Sequence, residues 1–598
     1  MARRRSIAYR LGRYYFHILE RSVRRSDLSQ YSLILAAGAL VGVLAGGGAV
    51  AFRLLIEYFH MVFFTQLPHA FAFMGDSYVI LAPGIGALLG GALVHLLAPD
   101  AGGSGIPQVM EAVVAQGGKI RGRVAVVKAL ASSLTAGSGG SVGREGPIVH
   151  IGSALGSLIA QVCGLNRTRI RTLLACGAAA GIAATFNSPL AGAFFAHEII
   201  LSEVGAESFA AVVVSAVTAS VIGHAAFGDS PAFLIPEYKL ATLGELPFFF
   251  VLGLAAAAAA VVFTRVLYAV QDLFAASRLP IWLTAAIGGL LVGLIGYFYP
   301  AVRCIGYDRI REILIGQETA AGLLLLLCVL KIVATSLSIG SGGSGGLVAP
   351  SLFIGAVLGA GLARLTASYT VTTTPAYALV GMGATFAAAS HAPITSVLTV
   401  FELTRDYSMI LPLMLACGVA TIAARMMYRF SIFNFYLVRR GIHYSLSRDT
   451  RLLDQITVSE AMATDIMTVP PDMPVSQAAH LFDQTKHHGF PIADDNGILH
   501  GIISLGDVRE ALARGRHNIT VQEAGTHDLI VAFPDETLND ALRKLGLRDI
   551  GRLPVVERDC HTRLVGLVTR KNIIGAYNRA LVKLHTHLDE TVKPEHIE

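Results

Sequence analysis

The chain has 598 residues, 54% hydrophobic and 15% charged, with a formal net charge of +6 and mean hydropathy +0.60. A soluble domain carries roughly a quarter charged residues, so this composition excludes a wholly soluble protein. Six cysteines (Cys163, Cys176, Cys304, Cys328, Cys417, Cys560) form neither a CxxC pair nor a zinc spacing. Most sit in apolar sequence, where cysteine packs as a small hydrophobe, so no metal centre or disulfide framework is expected.

In chain order, residues 1–29 are a basic segment: Arg3, Arg4, Arg5, Arg10, Arg13, Arg21, Arg24 and Arg25 face one acid, Glu20, within the first 26 positions. The apolar stretch that follows is too long for a secretory signal, and no small-residue cleavage site ends a short apolar core. Positive-inside retention of a cytoplasmic N-terminus is the better reading. No nucleic-acid partner is expected, because no aromatic reading module accompanies the arginines. Leu28–Phe52, Ser77–Pro99, Gly146–Asn166, Leu279–Val302, Ile332–Ala363 and Tyr407–Ala424 contain no Asp, Glu, Lys or Arg. Stretches of about 18 or more apolar residues read as membrane-spanning helices. From about position 451 the composition becomes that of soluble protein.

The membrane body repeats itself. Lys128–Gly156 lies over Lys331–Gly359 at a constant offset of 203, with 15 of 29 positions identical, and Asn187–Glu198 lies over His391–Glu402 at offset 204. Two homologous halves, about 30–225 and 245–430, follow. Repeated halves with Gly/Pro-interrupted apolar segments point to a transporter whose site lies between them. These matches leave open whether the repeats are parallel or inverted.

Three interruptions carry the chemistry: Gly103–Pro107 (GSGIP), Gly143–Pro147 (GREGP) and Gly346–Pro350 (GLVAP). Glycine permits unusual backbone angles, and proline suits the first turn of a helix. Helices that begin inside the membrane would aim free N–H groups and positive dipole ends at a shared pocket, which favours an anion. Close helix packing is the alternative use of such glycines. Glu145 is a carboxylate in apolar sequence beside the same N–H groups, costly there and so a functional candidate. It is expected to occupy the site as a surrogate anion and to leave when protonated; a static pair with Arg144 is the alternative. Enzyme chemistry is not expected. His197-Glu198 fails HExxH because position 201 is Leu, Ser138 and Ser341 sit in GSGG instead of a nucleophile elbow, and His150 reads as a core residue.

The tail holds two related units. Asp465–Ala478 aligns with Asp528–Ala541 at offset 63, and Phe490–Val508 corresponds to Leu553–Ile573. Each ends in two short apolar runs, a hydroxyl residue and a helix start, a β-β-α pattern. Ser504 and Asp507 suit a phosphate-and-ribose cradle, with Thr569 and Asn572 at the second copy. Dimer contact alone is the alternative role.

Together these residues resemble the CLC family of chloride channels and proton/chloride exchangers. GSGIP, GREGP, GLVAP and NSPLAG carry the resemblance over about residues 30–440, and the tail resembles paired CBS domains. The implied fold is an all-α polytopic membrane domain of two inverted repeats of tilted, partly broken helices, followed by an α/β CBS-domain pair. The implied limits are a linker at 441–455, CBS units at 456–515 and 519–582, and a last segment at 583–598. Chloride, with protons in exchangers, is the implied cargo; a bilayer and a second copy of the chain are the implied partners, with both termini cytoplasmic at the cell (inner) membrane. No cofactor is required, and an adenine nucleotide (ATP, ADP or AMP) is the implied ligand of the CBS pair. By position, Ser104 offers its hydroxyl to chloride, Glu145 is the gate, and Gly146 with the amides of Leu347 and Val348 completes the cradle. Three departures stand out. Val348 replaces the usual phenylalanine, and Phe433 replaces a chloride-contacting tyrosine, with Tyr436 three residues on. Glu198 matches the first acid of the exchangers' inner proton path, but Ile199 replaces the proton-transfer glutamate, and nearby Glu203 does not match that position. Ile199 and Phe433 therefore favour channel-like or loosely coupled flux ahead of strict proton/chloride antiport. A CBS-regulated cation transporter is the reading from another class, and it should line its path with acids.

Overall fold

The computed structural model describes residues 27–442 and 453–590, apart from positions 71, 203–204, 229–232, 234–241, 318, 455, 486, 548–549 and 561. The N-terminal arginines, Glu203, most of the 441–455 linker and the last eight residues lie outside the described residues. Two compact units divide the chain, Met1–Tyr444 and Ser445–Glu598.

The charge-free stretches become helices because a backbone in lipid must satisfy its own hydrogen bonds. Eight helices among the described residues are long and apolar enough to cross a membrane. The first half contains α1 (Asp27–Met61), α2 (Tyr78–Leu97), α3 (Ile106–Ala115), α4 (Arg123–Gly137), α5 (Glu145–Val162), α6 (Arg167–Phe186), α7 (Pro189–Phe195) and α8 (Ala206–Phe227). The second half answers with α9 (Leu246–Ala276), α10 (Ile281–Phe298), α11 (Tyr307–Leu314), α12 (Ala321–Gly340), α13 (Val348–Leu365), α14 (Thr374–Ser390), α15 (Pro393–Thr404) and α16 (Ile410–Met427). A short α17 (Asn434–Arg439) follows. The offset seen in the sequence orders the architecture: α2 pairs with α10, and α5 with α13, at a shift of 203 at both ends for the latter.

The halves meet through backbone. Gly143 N–H donates to Gly346 O at 2.8 Å, and Gly346 N–H donates to Gly143 O at 2.6 Å. Two repeat-equivalent residues that exchange both bonds form an antiparallel pair, and such an exchange is the signature of a local twofold. Outside the three interrupted segments, glycines serve close helix packing. A Cβ on Gly152 would lie 2.1 Å from the Gly177 carbonyl oxygen, and one on its repeat equivalent Gly355 would lie 2.1 Å from that of Gly381. Helices α5 and α6, and again α13 and α14, cross at these points with no room for a methyl.

In the tail, the alternating apolar runs form two hairpins. Strand β1 (Gly489–Ala493) pairs antiparallel with β2 (Leu499–Ser504), and β3 (Arg552–Val556) with β4 (Leu564–Thr569). Each hairpin bears its register shift at the equivalent place, Ile492/Ala493 and Val555/Val556. Each unit also lends a segment to the other. Leu538 N–H donates to Ile456 O at 2.9 Å, while Val475 N–H donates to Ile519 O at 2.9 Å. Val458 and Ala461 accordingly pack in the core of the second unit with Leu538 and Leu553, and Val521 packs with Phe490 and Ile503 of the first.

Candidate functional site

The three interrupted segments converge as helix starts. Pro147 is the third residue of α5, Pro350 the third of α13 and Pro107 the second of α3, positions where the missing N–H breaks no intrahelical bond. A Cβ on Gly146 would lie 2.1 Å from the Ser104 carbonyl oxygen and 3.1 Å from the Gly346 Cα. So Ser104, Gly146 and the chain leading into Leu347 and Val348 share one neighbourhood, and all are buried.

Glu145 sits inside it, fully buried at 0% exposure. Its Oε1 accepts a hydrogen bond from the Tyr307 hydroxyl at 2.8 Å, and its Oε2 accepts one from the Ala349 N–H at 3.3 Å. Ala349 is in the first turn of α13, where unsatisfied N–H groups and the positive dipole end favour a negative charge. The carboxylate thus sits at a helix start supplied by the other half of the protein. Arg144 turns away to lie over the Tyr307 ring, 5.6 Å from its centroid.

Two fully buried lysines hold lead-in loops, Lys128 those before α3 and α13 and Lys331 the one before α11. Lys128 Nζ donates to Gly103 O at 2.6 Å and to Ser344 Oγ at 3.0 Å. Its repeat equivalent Lys331 donates to Val302 O and Cys304 O, both at 3.0 Å. Each Nζ finds carbonyl or hydroxyl acceptors, as a buried donor requires.

A cavity of about 830 Å³ opens beside the site, lined among others by Ser104, Gln108, His150, Leu347, Tyr436 and Arg440. Phe433 lies at the cap of α17 and is 1% exposed; Tyr436, nearly a turn on, is the ring of this segment that lines the cavity. Its hydroxyl accepts from Arg440 at 2.7 Å, and Arg440 also pairs with Glu111 at 2.9 Å.

Glu198 is already engaged. Its carboxylate accepts from Ile394 N–H at 3.3 Å, Thr395 N–H at 2.7 Å and Thr395 Oγ1 at 2.6 Å, which caps the start of α15. Glu402, its repeat equivalent, accepts from Leu190 N–H at 3.0 Å and Ala191 N–H at 2.7 Å and caps α7. Ile199, next to Glu198, is buried and has no titratable atom.

In the tail, Ser504 and Asp507 form a capping box: Asp507 Oδ2 accepts from Ser504 N–H at 2.8 Å and from its Oγ at 2.7 Å, and Asp507 N–H donates to Ser504 Oγ at 3.2 Å. Thr569 and Asn572 repeat the arrangement through Thr569 N–H to Asn572 Oδ1 at 3.0 Å and Asn572 N–H to Thr569 Oγ1 at 3.3 Å. These four residues therefore have a helix-capping role in this structure.

Sequence reading passed over Tyr307. Extending the offset of 203 upstream places Tyr307 opposite Ser104, but Gly306 opposite Gly103 is the only identity of the GSGIP stretch, too little to draw notice.

Comparison with known proteins places the chain in a family. A family profile described as voltage gated chloride channel matches residues 86–425, and CBS domain profiles match 458–514 and 521–579. The H(+)/Cl(-) exchange transporter ClcA of Vibrio parahaemolyticus is 34% identical, over 66% of this chain and 87% of its own length. Chloride channel protein CLC-f of Arabidopsis thaliana is 29% identical, over 88% of this chain and 77% of its own. Among solved structures, a slow cyanobacterial Cl-/H+ antiporter aligns with TM-score 0.61 at 26% identity, covering 69% of this chain and 98% of the other. A eukaryotic CLC transporter shares the fold with TM-score 0.62 at 22% identity, covering 90% of this chain and 97% of the other. With paired helix starts around a buried carboxylate and this span of similarity, the chain belongs to the voltage gated chloride channel (CLC) family of membrane chloride transport proteins and carries a C-terminal CBS pair.

Proposed function

We propose that the protein moves chloride past a Glu145 gate in a channel-like or loosely proton-coupled manner. The observation that supports this reading is the carboxylate at the start of α13, held by the Ala349 N–H and the Tyr307 hydroxyl. Ionised, it competes with chloride for a helix N-terminus; protonated, it loses the charge that anchors it and leaves. Chloride then meets the Ser104 hydroxyl and the backbone amides of Gly146, Leu347 and Val348. Phe433 contributes bulk to the inner wall, and Tyr436 supplies the hydroxyl at the mouth.

Strict proton/chloride antiport is the second reading, favoured by the exchanger named among the relatives. Loose coupling is placed first because Ile199 cannot relay a proton and Glu198 is committed to three donors. The CBS pair is assigned modulation by an adenine nucleotide at Ser504, Asp507 and Thr569, and the working unit a homodimer at the cell membrane with both termini cytoplasmic.

Reversal potentials in reconstituted liposomes under separate chloride and pH gradients test the reading. A potential that follows chloride and responds weakly to the proton gradient is expected. A fixed response to protons would favour strict antiport, and absence of chloride flux would overturn the proposal.

A further inference from the structure

Resting on the Glu145 gate, we infer that Tyr307 is its latch: a positioning residue, the second-half counterpart of Ser104, whose hydroxyl holds the carboxylate in the anion pathway. The offset of 203 that relates Gly143 to Gly346 also relates Ser104 to Tyr307. It sets Tyr307 to the second half as Ser104 is to the first. Both are preceded by a glycine in the left-handed region, Gly103 at φ +66° and Gly306 at φ +85°, which side chains other than glycine rarely adopt. Both lead-in loops are tied down by the equivalent buried lysine, Lys128 or Lys331.

The two loops border different cavities. Ser104 lines the 830 Å³ cavity, whereas Gly306, beside Tyr307, lines a separate cavity of about 760 Å³ with Arg303 and Arg309. The sequence places a small hydroxyl residue, Ser104, on one loop and a long one, Tyr307, on the other. The long one spans to the carboxylate, 2.8 Å from Oε1. Its aim is fixed by packing: Phe233 meets the ring edge-on at 5.3 Å between centroids, and the Arg144 guanidinium lies over its face. A Cβ on Gly306 would lie 2.7 Å from the Phe353 ring of α13, so the backbone beneath Tyr307 is pressed against the helix whose start the carboxylate occupies. A phenol donates one hydrogen bond, and that bond is strongest to an ionised acceptor. Tyr307 therefore favours the seated, charged gate over the protonated or withdrawn one.

Chloride efflux from liposomes at neutral pH, measured for wild type, Tyr307→Phe, Glu145→Gln and the double variant, tests the latch. Phenylalanine keeps the ring contacts and removes only the donor. Tyr307→Phe is expected to raise flux roughly tenfold, the scale of one charge-assisted hydrogen bond. In the Glu145→Gln background the same change is expected to have little effect, because two groups acting through one interaction are not additive. Equal effects in both backgrounds, or unaltered flux in the first, would overturn the latch while leaving the gate intact. Wild-type behaviour of Glu145→Gln alone would instead overturn the gate, and the latch with it.

Discussion

Removing the Glu198 carboxylate separates a structural role from the proton-carrying role that the family resemblance implies for it. The carboxylate takes two short bonds, from Thr395 N–H at 2.7 Å and Thr395 Oγ1 at 2.6 Å, and a longer one from Ile394 N–H at 3.3 Å. A hydrogen bond to a charged group contributes about 1.5–3 kcal/mol net. The site is half-buried, so water reclaims part of what is lost, and deleting a helix cap costs about 0.5–2 kcal/mol. Glu198→Ala is therefore expected to cost about 2 kcal/mol, and Glu198→Gln, which keeps an acceptor oxygen, about half of that. In a unit of this size that is a fall in Tm of about 2–4 °C, read by thermal unfolding in detergent at matched scan rates. Glu402→Ala, the mirror of the same change at α7, is expected to behave alike. Reversal potentials under a pH gradient should stay at the wild-type value throughout. A Glu198→Gln protein that melts normally but loses its proton response would refute the capping argument and make Glu198 a carrier.

Three other outcomes follow from the same geometry. Glu145→Gln mimics the protonated gate, so the steep acid activation expected of wild-type flux should flatten; an unchanged pH profile in liposome efflux would count against the gate. Lys128→Met and Lys331→Met leave buried carbonyls unpaired at about 1–3 kcal/mol each; each is expected to lower both Tm and chloride flux, with Lys128 acting on the Ser104 loop and Lys331 on the Tyr307 loop. For the tail, adenine-nucleotide titration by calorimetry is expected to show weaker binding for Asp507→Ala than for wild type, and identical affinities would remove Asp507 from the nucleotide site.

What the sequence made legible were features written locally or twice. The charge-free stretches marked most of the long apolar helices, although Ile332–Ala363 is divided between α12 and α13 and α9 is as apolar despite Arg265 and Asp272; the offset of 203 announced the halves, and glycine followed by proline announced the helix starts that meet at Gly146. What it hid were partnerships across long separations. Glu198 caps a helix that begins nearly two hundred residues away, and no local pattern marks that bond. The choice between Phe433 and Tyr436 depends on the phase of a short helix, which three residues of sequence do not reveal. In the tail, the expected limits at 456–515 and 519–582 follow the repeat, but Ile456 and Ile519 cross to the opposite unit. Composition cannot record that exchange, since both partners are equally apolar.

The reciprocal bonds between Gly143 and Gly346 bear on how such a protein can work at all. Many carriers expose their cargo alternately by rocking one half against the other about a central hinge. Here the two halves are joined by main chain at 2.6 and 2.8 Å, in a buried place where each broken bond would leave two polar groups without water. Large tilting of the halves would tear that seam at every turnover. A side chain beside the seam can move without breaking either bond.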